Sequence, residues 1–370
     1  MRIPTLLLSG ILFGVLPLLA TDRVVSVSGT YNTISSAIAA SSDGDRILVQ
    51  SGNYNEDLSI SKSLAFLPLL EGTRYTLNGS VKLDGANGKT IDMSGIRILD
   101  KVTKIGTYNT RTQFRMFDSY AGNCFLPDPF IHIELYRDTI VSFAQFSSGS
   151  VVGNVLPGKS GLYAIILVSG ASSLTDDILI IGNSLGGTNG FGIEISSDLR
   201  FYVEGNYIVN TGNQPAVQIS RTQDLSTPPS TIINNTFYSS TPAALLAVTS
   251  NKYYNLYAKN NANIGFNSGF ISTQGWTQLV QSNNLFTAPS WINATTGQPT
   301  VSSPLLNAGD PDPRYLDLDL STNDVGCYGG SNSRANFTTP MGSAVVGFMQ
   351  APRVVAQGEA VNITAVGFDR

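Results

Sequence analysis

A recurring asparagine most strongly constrains what this 370-residue chain can fold into. Six apolar stretches each run into an asparagine and then into another apolar residue, at Asn154, Asn183, Asn206, Asn235, Asn261 and Asn284. Successive asparagines are 29, 23, 29, 26 and 23 residues apart. Repeats of this length are typical of solenoids, in which each unit buries its apolar face only by stacking on its neighbours.

A second column runs in step with the asparagines. It has the pattern apolar–x–apolar–Ser/Thr and ends at Ser169, Ser196, Ser220, Thr249 and, as a weaker match, Ser272. Each repeat therefore carries at least two short strands, and strands stacked about 4.8 Å apart place like positions above one another. We expect each column asparagine to adopt the left-handed conformation at a turn and to bond through its side-chain amide to the next coil.

These patterns predict an all-β chain folded as a parallel β-helix. Leucine-rich repeats have a similar period but need several leucines per unit, and these are missing here. A β-sandwich has turn signals about every 8–12 residues and produces no column of this period. The length is compatible with a single domain, because elongated all-β folds run long as one unit.

The residues before the repeats predict a cap on the first coil. A short amphipathic helix is expected over Thr33–Ala40, with Asn32 or Thr33 as its N-cap. Strands are expected at Arg46–Gln50, Leu58–Ile60 and Leu64–Leu67. A helix placed there shields the apolar end of the solenoid and the exposed edge of its first strand.

The termini differ in texture from the repeats. Residues 1–20 combine Arg2, an apolar run and a small residue at Ala20, as a secretory signal peptide does. We therefore expect a protein that is secreted or held at the cell surface, without a transmembrane anchor after removal of the signal. The predicted domains are the signal peptide at 1–20, the β-helix at 21–330 and a C-terminal β-strand extension at 331–370.

Composition excludes several classes of function. The net charge is −4 and no basic stripe is present, so nucleic acid is not an expected partner. His132 is the only histidine, and Cys124 and Cys327 are the only cysteines. Neither a zinc site nor a histidine-dependent nucleophile triad is therefore expected. The two cysteines either form one bridge or remain separate buried thiols.

Two segments resemble a known family. Tyr31–Leu67 looks like the N-terminal cap and first coil of pectin-lyase-like right-handed parallel β-helix proteins. Ser303–Gly330 resembles the closing segment of secreted bacterial β-helix repeat proteins. The resemblance implies a right-handed β-helix, but it leaves the activity open. This superfamily holds lyases, hydrolases, esterases, epimerases and adhesins.

Enzymes of that family place carboxylates on the outward face of neighbouring coils, as acids and bases or as Ca²⁺ ligands beside an Arg or Lys base. Counting back from the Ser/Thr column puts Leu167, Glu194, Gln218, Ala247 and Phe270 on that face. One carboxylate in five is not a catalytic row. The richest polar neighbourhood offers Glu194 and Asp198 as candidate catalytic carboxylates and Arg221 as base or clamp. There Asp177 and Arg200 are expected to form an ion pair between adjacent coils.

Two further groups are candidates for binding. Residues 99–150 break the repeat and are rich in aromatics, so Tyr120, Tyr136 and Arg137 are candidate substrate-binding residues, unless the aromatics simply pack the core. Asp310, Asp312 and Asp319 are candidate Ca²⁺ ligands. The favoured interpretation of this segment is nevertheless a closing turn in which Leu316, Leu318 and Leu320 plug the last coil, because acidic residues alone are a weak metal signature.

The sequence therefore predicts a secreted β-helix that binds polysaccharide or a cell-surface partner, without an evident catalytic row. One alternative is a carbohydrate-active enzyme, most simply a Ca²⁺-dependent polyuronate lyase. The other is a structural adhesion module.

Overall fold

A computed structural model describes residues 20–159, 161–168, 177–186, 191–210, 215–220, 229–243, 248–250, 255–266, 270–271, 278–333, 344–350, 358, 360–361 and 363–369. The predicted signal peptide lies outside the described residues, apart from Ala20, and so do Arg221 and Ala247.

The chain is built almost entirely of short strands. In chain order the elements are β1 Asp22–Val25, α1 Ile34–Ala40, β2 Arg46–Val49, β3 Asn53–Tyr54, β4 Leu58–Ile60, β5 Leu64–Pro68, β6 Tyr75–Leu77, β7 Val81–Asp84, β8 Thr90–Ser94, β9 Ile96–Ile105, β10 Thr112–Phe117, β11 Tyr120–Leu126, β12 Ile131–Tyr136, β13 Thr139–Ile140, β14 Ala144–Phe146, β15 Ser148–Val152, β16 Val155–Leu156, β17 Tyr163–Leu167, β18 Ile178–Ile181, β19 Ser184–Leu185, β20 Phe191–Ile195, β21 Phe201–Glu204, β22 Tyr207–Asn210, β23 Val217–Ile219, β24 Ser230–Ile233, β25 Thr236–Ala243, β26 Val248–Ser250, β27 Asn255–Lys259, β28 Ala262–Phe266, β29 Gln278–Ser282, β30 Leu285–Phe286, β31 Ala344–Gln350 and β32 Thr364–Asp369. A 3-10 turn, Pro289–Trp291, follows β30.

The strands wind into a parallel β-helix, as predicted. Within the described residues, twelve strands form the first sheet, in the order β1-β2-β5-β8-β10-β12-β15-β18-β21-β24-β27-β29. The other strands of the solenoid form a second sheet, from β3 to β30, and a third, from β4 to β26, which share the long strands β9 and β11. Each coil therefore contributes one strand to each face, and every pairing between coils is parallel.

Stacked apolar columns fill the interior. In the third sheet, Ile165, Ile193, Val217 and Val248 lie in register on successive strands, and all four are fully buried. Side chains alternate between the two faces of a β-strand, so every second residue points inward. The inward apolar residues of successive coils stack into a core that runs the length of the solenoid.

The column asparagines form a hydrogen-bonded ladder. The Oδ1 of Asn206 accepts the backbone N–H of Asn183 at 2.9 Å, and its Nδ2 donates to the carbonyl of Ile180 at 2.8 Å. The same pattern runs from Asn154 to Asn284, and Asp138 and Ser119 continue it toward the N-terminus. We call these eight residues the ladder. The bonds between coils confirm the predicted role of the asparagines.

The expected left-handed conformation falls one residue earlier than predicted. The residue before each column asparagine has a positive φ, and these residues are Gly153, Gly182, Gly205, Asn234, Asn260 and Asn283. The column asparagine itself does not. The turn needs a left-handed residue to bend the chain from the first sheet into the second. The next residue can then direct its side-chain amide along the stack.

Helix α1 caps the first coil, as predicted. Thr33 is its N-cap and accepts the N–H of Ser36 at 3.1 Å, while Ile34, Ala37 and Ile38 are buried. The Glu56 carboxylate accepts the N–H groups of Ile34 and Ser35 at 2.8 and 2.9 Å. At the other end, the Lys62 ammonium donates to the carbonyls of Ile38, Ala39 and Ser41. Both charges suit the helix end that they contact.

Replacing Glu56 with alanine is expected to lower the free energy of unfolding by about 1–2 kcal/mol, because two N–H groups of the first turn lose a charged acceptor. Urea unfolding monitored by circular dichroism measures the change. Glu71→Ala removes an exposed carboxylate for which the described residues show no hydrogen bond, and it serves as the matched control. A loss of equal size in both variants would contradict this capping role.

Residues 287–333, here called the strap, run along the flank of the solenoid. The N–H of Gly326 donates to the carbonyl of Asn234 at 2.8 Å, and the Tyr207 hydroxyl donates to the carbonyl of Ala294 at 2.6 Å. The strap and the outer side of the second sheet enclose a second apolar cluster, which contains Tyr207, Ile264, Leu305, Val325 and Cys327.

The strap shows that the closing turn differs from the predicted one and that the two cysteines are not paired. Leu318 and Leu320 do not plug the last coil, because they are 66% and 78% exposed at the tip of a turn. Apolar alternation alone could not reveal which face of that turn meets the solenoid. Cys124 lies in the main core and Cys327 in the strap cluster, and both are free buried thiols.

The C-terminal extension contains a β-hairpin. Strands β31 and β32 pair antiparallel, and β31 lies against β12 of the first sheet. Residues 351–357 of the predicted extension, which lie between these strands, are outside the described residues. In the described part of the chain, no helix has the length and apolar character needed to span a bilayer.

Candidate functional site

The outward row of the third sheet differs from the predicted one at its ends. Glu194 and Gln218 are in register, but their partner on β17 is Ile166 rather than Leu167. Leu167 and Phe270 are buried in the core. Loops of different length shift the Ser/Thr column by a residue between coils, and a shift of one residue exchanges the two faces of a strand.

The corrected row carries one carboxylate. Among the described residues it runs Ser59, Lys82, Thr103, Phe125, Gln145, Ile166, Glu194 and Gln218. Glu194 and Asp198 are both half-buried, one at the end of β20 and one in the turn after it. Since Arg221 lies outside the described residues, the structure does not test whether it joins the two carboxylates.

The predicted Asp177–Arg200 pair is present. The guanidinium donates twice to the carboxylate, at 2.6 Å for both bonds. These residues lie on the outward face of the first sheet, at the starts of β18 and β21. Hydrogen bonding to Asp177 raises the pKa of Arg200, against the opposing effect of burial. The pair therefore joins neighbouring coils.

The acidic residues of the strap are each engaged locally. Asp310 accepts the N–H of Asp312, Asp312 binds Arg314 at 2.9 and 3.0 Å, and Asp319 accepts the hydroxyl of Ser321. The hydrogen bond from Arg314 lowers the pKa of Asp312. Asp310, Asp312 and Asp319 do not converge, and the described residues contain no group of three acidic, histidine or cysteine side chains placed to hold a metal ion.

A cavity of about 340 Å³ lies on the outward face of the first sheet, near its N-terminal end. Leu48 and Leu67 form its floor on adjacent strands β2 and β5. The turn from Pro68 to Arg74 forms one wall, and Arg46, Ser94, Gly95 and Asp118 complete the lining. We call this site the Leu48 groove. Its volume falls within the range of small-molecule sites, about 300–1,000 Å³.

Four charged side chains line the groove, those of Arg46, Glu71, Arg74 and Asp118. Arg46 forms two hydrogen bonds to Asp22, at 2.7 and 2.8 Å, and Arg74 binds Asp118 at 2.9 Å. The Arg74 side chain is 58% exposed, so its free donors face solvent and any ligand in the groove.

Two of the three candidate binding residues adjoin the groove. Tyr136 packs with Phe117, Leu48 and Leu67 in one apolar cluster. Arg137 stacks over the Phe117 ring, with 4.5 Å between the guanidinium carbon and the ring centroid. Burial raises the pKa of Tyr136 to about 12, so its hydroxyl stays protonated as a donor. Tyr120 lies on β11 beneath Arg97 and is not part of this cluster.

The backbone beside the groove is strained. Asp118 and Arg137 have φ values of 49° and 57°, at turn positions that glycine occupies in several other coils. A left-handed non-glycine residue costs about 1–2 kcal/mol. Such strain concentrates at functional sites, where the side chain is worth more than the lost stability.

No family model, curated protein or solved structure matches this chain.

The outward face of the first sheet was not predicted as a site, because the Ser/Thr column marks only the outward row of the third sheet. Period-two patterns in TIDMS, TQFRMF and IHIELY place Asp92, Arg115, His132 and Glu134 on its outer face. The groove floor also had a detectable pattern, since β2 and β5 carry leucines on the face opposite to the core. An apolar outward residue on a solenoid strand indicates a surface that is covered or that binds.

Proposed function

We propose that this protein is an exported β-helix whose Leu48 groove binds an acidic polysaccharide. The observation that carries the proposal is an open, preformed groove with an apolar floor and the guanidinium groups of Arg46 and Arg74 in its lining. A sugar ring offers apolar C–H faces and polar edges, so it matches a leucine floor bordered by charged donors. A uronate carboxylate adds an acceptor that arginine binds strongly.

The strained turn residues support the same site. Asp118 holds Arg74 at one rim of the groove, and Arg137 approaches Asp118 at 3.9 Å while it covers Phe117. This network orients Arg74 before any ligand arrives. Preorganised donors lose less entropy on binding, which favours recognition of a planar carboxylate.

Replacing Arg74 with glutamine is expected to weaken binding of an acidic polysaccharide at least about tenfold, since a charged hydrogen bond contributes about 1.5–3 kcal/mol. A panel of polyuronates and neutral glycans, followed by calorimetry on the tightest binder, measures the change. Lys82→Gln is the matched control. It removes an equal charge from an ion pair with Asp57 on the third sheet, and it should leave the affinity unchanged.

Three results would count against this function. Equal losses in both variants would mean that general charge governs binding rather than the groove. Tighter binding of neutral glycans would exclude a carboxylate ligand. A product that absorbs in the ultraviolet, formed from a polyuronate with added Ca²⁺, would replace binding by lyase activity.

A further inference from the structure

Three side chains on the outward face of the first sheet form a contiguous polar set. The Ser148 Oγ lies 3.4 Å from Nδ1 of His132, and Nε2 of His132 lies 3.6 Å from Oε1 of Glu134. Ser148 and His132 are in register on the adjacent strands β15 and β12, and Glu134 is two residues further along β12. Both ring nitrogens are thereby placed between a hydroxyl and a carboxylate.

The set is buried although it faces away from the core. Ile133 and Val151 point inward, so His132, Glu134 and Ser148 point outward, yet their exposed fractions are 2%, 6% and 0%. On the third sheet the outward row from Ser59 to Gln218 is half-buried or exposed, whereas other outward positions of the first sheet, such as Tyr202 and Glu204, are also buried. Strand β31 of the C-terminal hairpin lies against β12, where it can cover this part of the sheet.

The arrangement determines where the imidazole proton is favoured. A carboxylate accepts hydrogen bonds but does not donate, so Glu134 favours the tautomer with its proton on Nε2. The lone pair of Nδ1 then faces the Ser148 hydroxyl. This is the order of nucleophile, general base and orienting carboxylate that activates serine in acyl transfer. The distances are longer than ideal, as is common before a substrate binds.

The backbone at Ser148 is also specialised. The next residue, Gly149, has a φ of 139°, and a Cβ placed there would lie 2.0 Å from the carbonyl oxygen of Ile133. Only glycine fits this position. Its backbone conformation sets the direction of the Ser148 side chain, which precedes it on β15.

We propose that Ser148, His132 and Glu134 form an acyl-transfer site for a carboxylic ester, covered by the β31–β32 hairpin. The Ser148 Oγ attacks the ester carbonyl carbon, and its proton passes to Nδ1 of His132. The carbon–oxygen bond to the alcohol then breaks, and the alcohol leaves with that proton. Water next gives its proton to Nδ1 and attacks the acyl-serine, which releases the acid and regenerates the hydroxyl. Glu134 acts as a positioning residue.

The tautomer can be read directly, because the chain has one histidine. Full-length protein made without a histidine tag and labelled with ¹⁵N-histidine gives the signals of a single imidazole. We expect a protonated Nε2 and an unprotonated Nδ1 at neutral pH, and Glu134→Gln should shift the population of the two tautomers. A proton on Nδ1 in the parent protein would overturn the proposal.

Reactivity is tested with a fluorophosphonate probe on the full-length chain, followed by peptide mapping. We expect labelling at Ser148, loss of labelling in Ser148→Ala, and a rate at least about a hundredfold lower in His132→Gln. Ser150→Ala is the matched control, because Ser150 lies two residues along the same strand and faces the same side. Ser150→Ala should be labelled like the parent protein.

The cover is tested in the same assay. Val346→Pro removes a backbone donor from β31, in the pair that Val346 forms with Gly367. Labelling of Ser148 should become several-fold faster, and an unchanged rate would overturn the role of the hairpin. An unlabelled parent protein, or labelling that survives His132→Gln, would overturn the acyl-transfer site itself. Neither result bears on polysaccharide binding in the Leu48 groove.

Discussion

Replacing Asn206 with alanine is expected to destabilise the protein by about 3–5 kcal/mol, because each buried polar group left without a partner costs about 1–3 kcal/mol. Asn206 lies in the middle of the ladder and is fully buried. Alanine removes the acceptor of the Asn183 N–H and the donor to the carbonyl of Ile180. It also breaks the side-chain bond to Asn235, at 2.9 Å. No water can reach these groups inside the stack.

The matched control is Asn284→Ala at the end of the ladder. Asn284 also accepts the N–H of Asn261 and donates to the carbonyl of Ala258, but it is only half-buried. Water can replace its bonds, so the cost should be about 1 kcal/mol. Urea unfolding compares the two variants, and hydrogen exchange at the amide of Asn183 locates the damage. Equal losses would contradict the burial argument.

Replacing Asp138 with asparagine is expected to stabilise the protein, with a gain that grows as the pH rises. Asp138 occupies a ladder position, where its Oδ1 accepts the N–H of Ser119 at 2.8 Å. Its Oδ2 is buried and has no hydrogen-bond partner among the described residues. Complete burial raises the pKa of Asp138 well above its usual range, and the nearby Asp118 raises it further.

The direction of the pH effect follows from this raised pKa. Below the pKa of the unfolded chain, about 3.9, both states are protonated and Asp138 carries no penalty. As the pH rises above that value, ionisation stabilises the unfolded state. The free energy of unfolding therefore falls until the pH reaches the raised pKa of the folded state. Keeping this carboxyl buried therefore costs stability, and the cost grows as the pH rises above the unfolded pKa. Asparagine avoids this cost and supplies the Nδ2 donor that the ladder asparagines have.

Urea midpoints of Asp138→Asn and the parent protein, measured from pH 4 to pH 9, test this prediction. The two should converge at the acidic end and separate toward alkaline pH. Asp57→Asn is the control of opposite sign, because its hydrogen bond to Lys82 lowers the pKa of Asp57. A midpoint of Asp138→Asn equal to or below that of the parent at pH 8 would show that Asp138 is ionised in the fold.

The sequence predicted the part of the ladder in which every coil uses asparagine. It did not predict the part in which other residue types take that position. Asp138 and Ser119 do the same work, but their spacings of 16 and 19 residues are shorter and their residue types differ. Helix α1 was predictable because it depends on neighbours within one repeat, and the Asp177–Arg200 pair because one regular repeat of 23 residues separates its members. Local periodicity was sufficient in these cases.

The sites were harder to predict because they depend on registry between coils. Arg46 and Asp118 line one groove although 72 residues separate them. A difference in loop length put the Ser/Thr column out of register by one residue, so Leu167 was predicted on the outward face although it lies in the core. A lone histidine argues against a zinc site, whereas the proposed serine–histidine pair needs only one imidazole. Its partners lie two residues away on the same strand and sixteen away on the next.

The strap also limits how this molecule can change in length during evolution. Its contacts reach from the coil of Asn260 back to the coil of Gly182, where the Asn332 carbonyl lies close to the glycine. A duplicated coil inserted between those points would displace every strap contact beyond it by one strand spacing, about 4.8 Å. A coil duplicated before Ser119 would leave all of them intact. Lineages of this protein should therefore differ in coil number near the N-terminal end and keep the strapped coils constant.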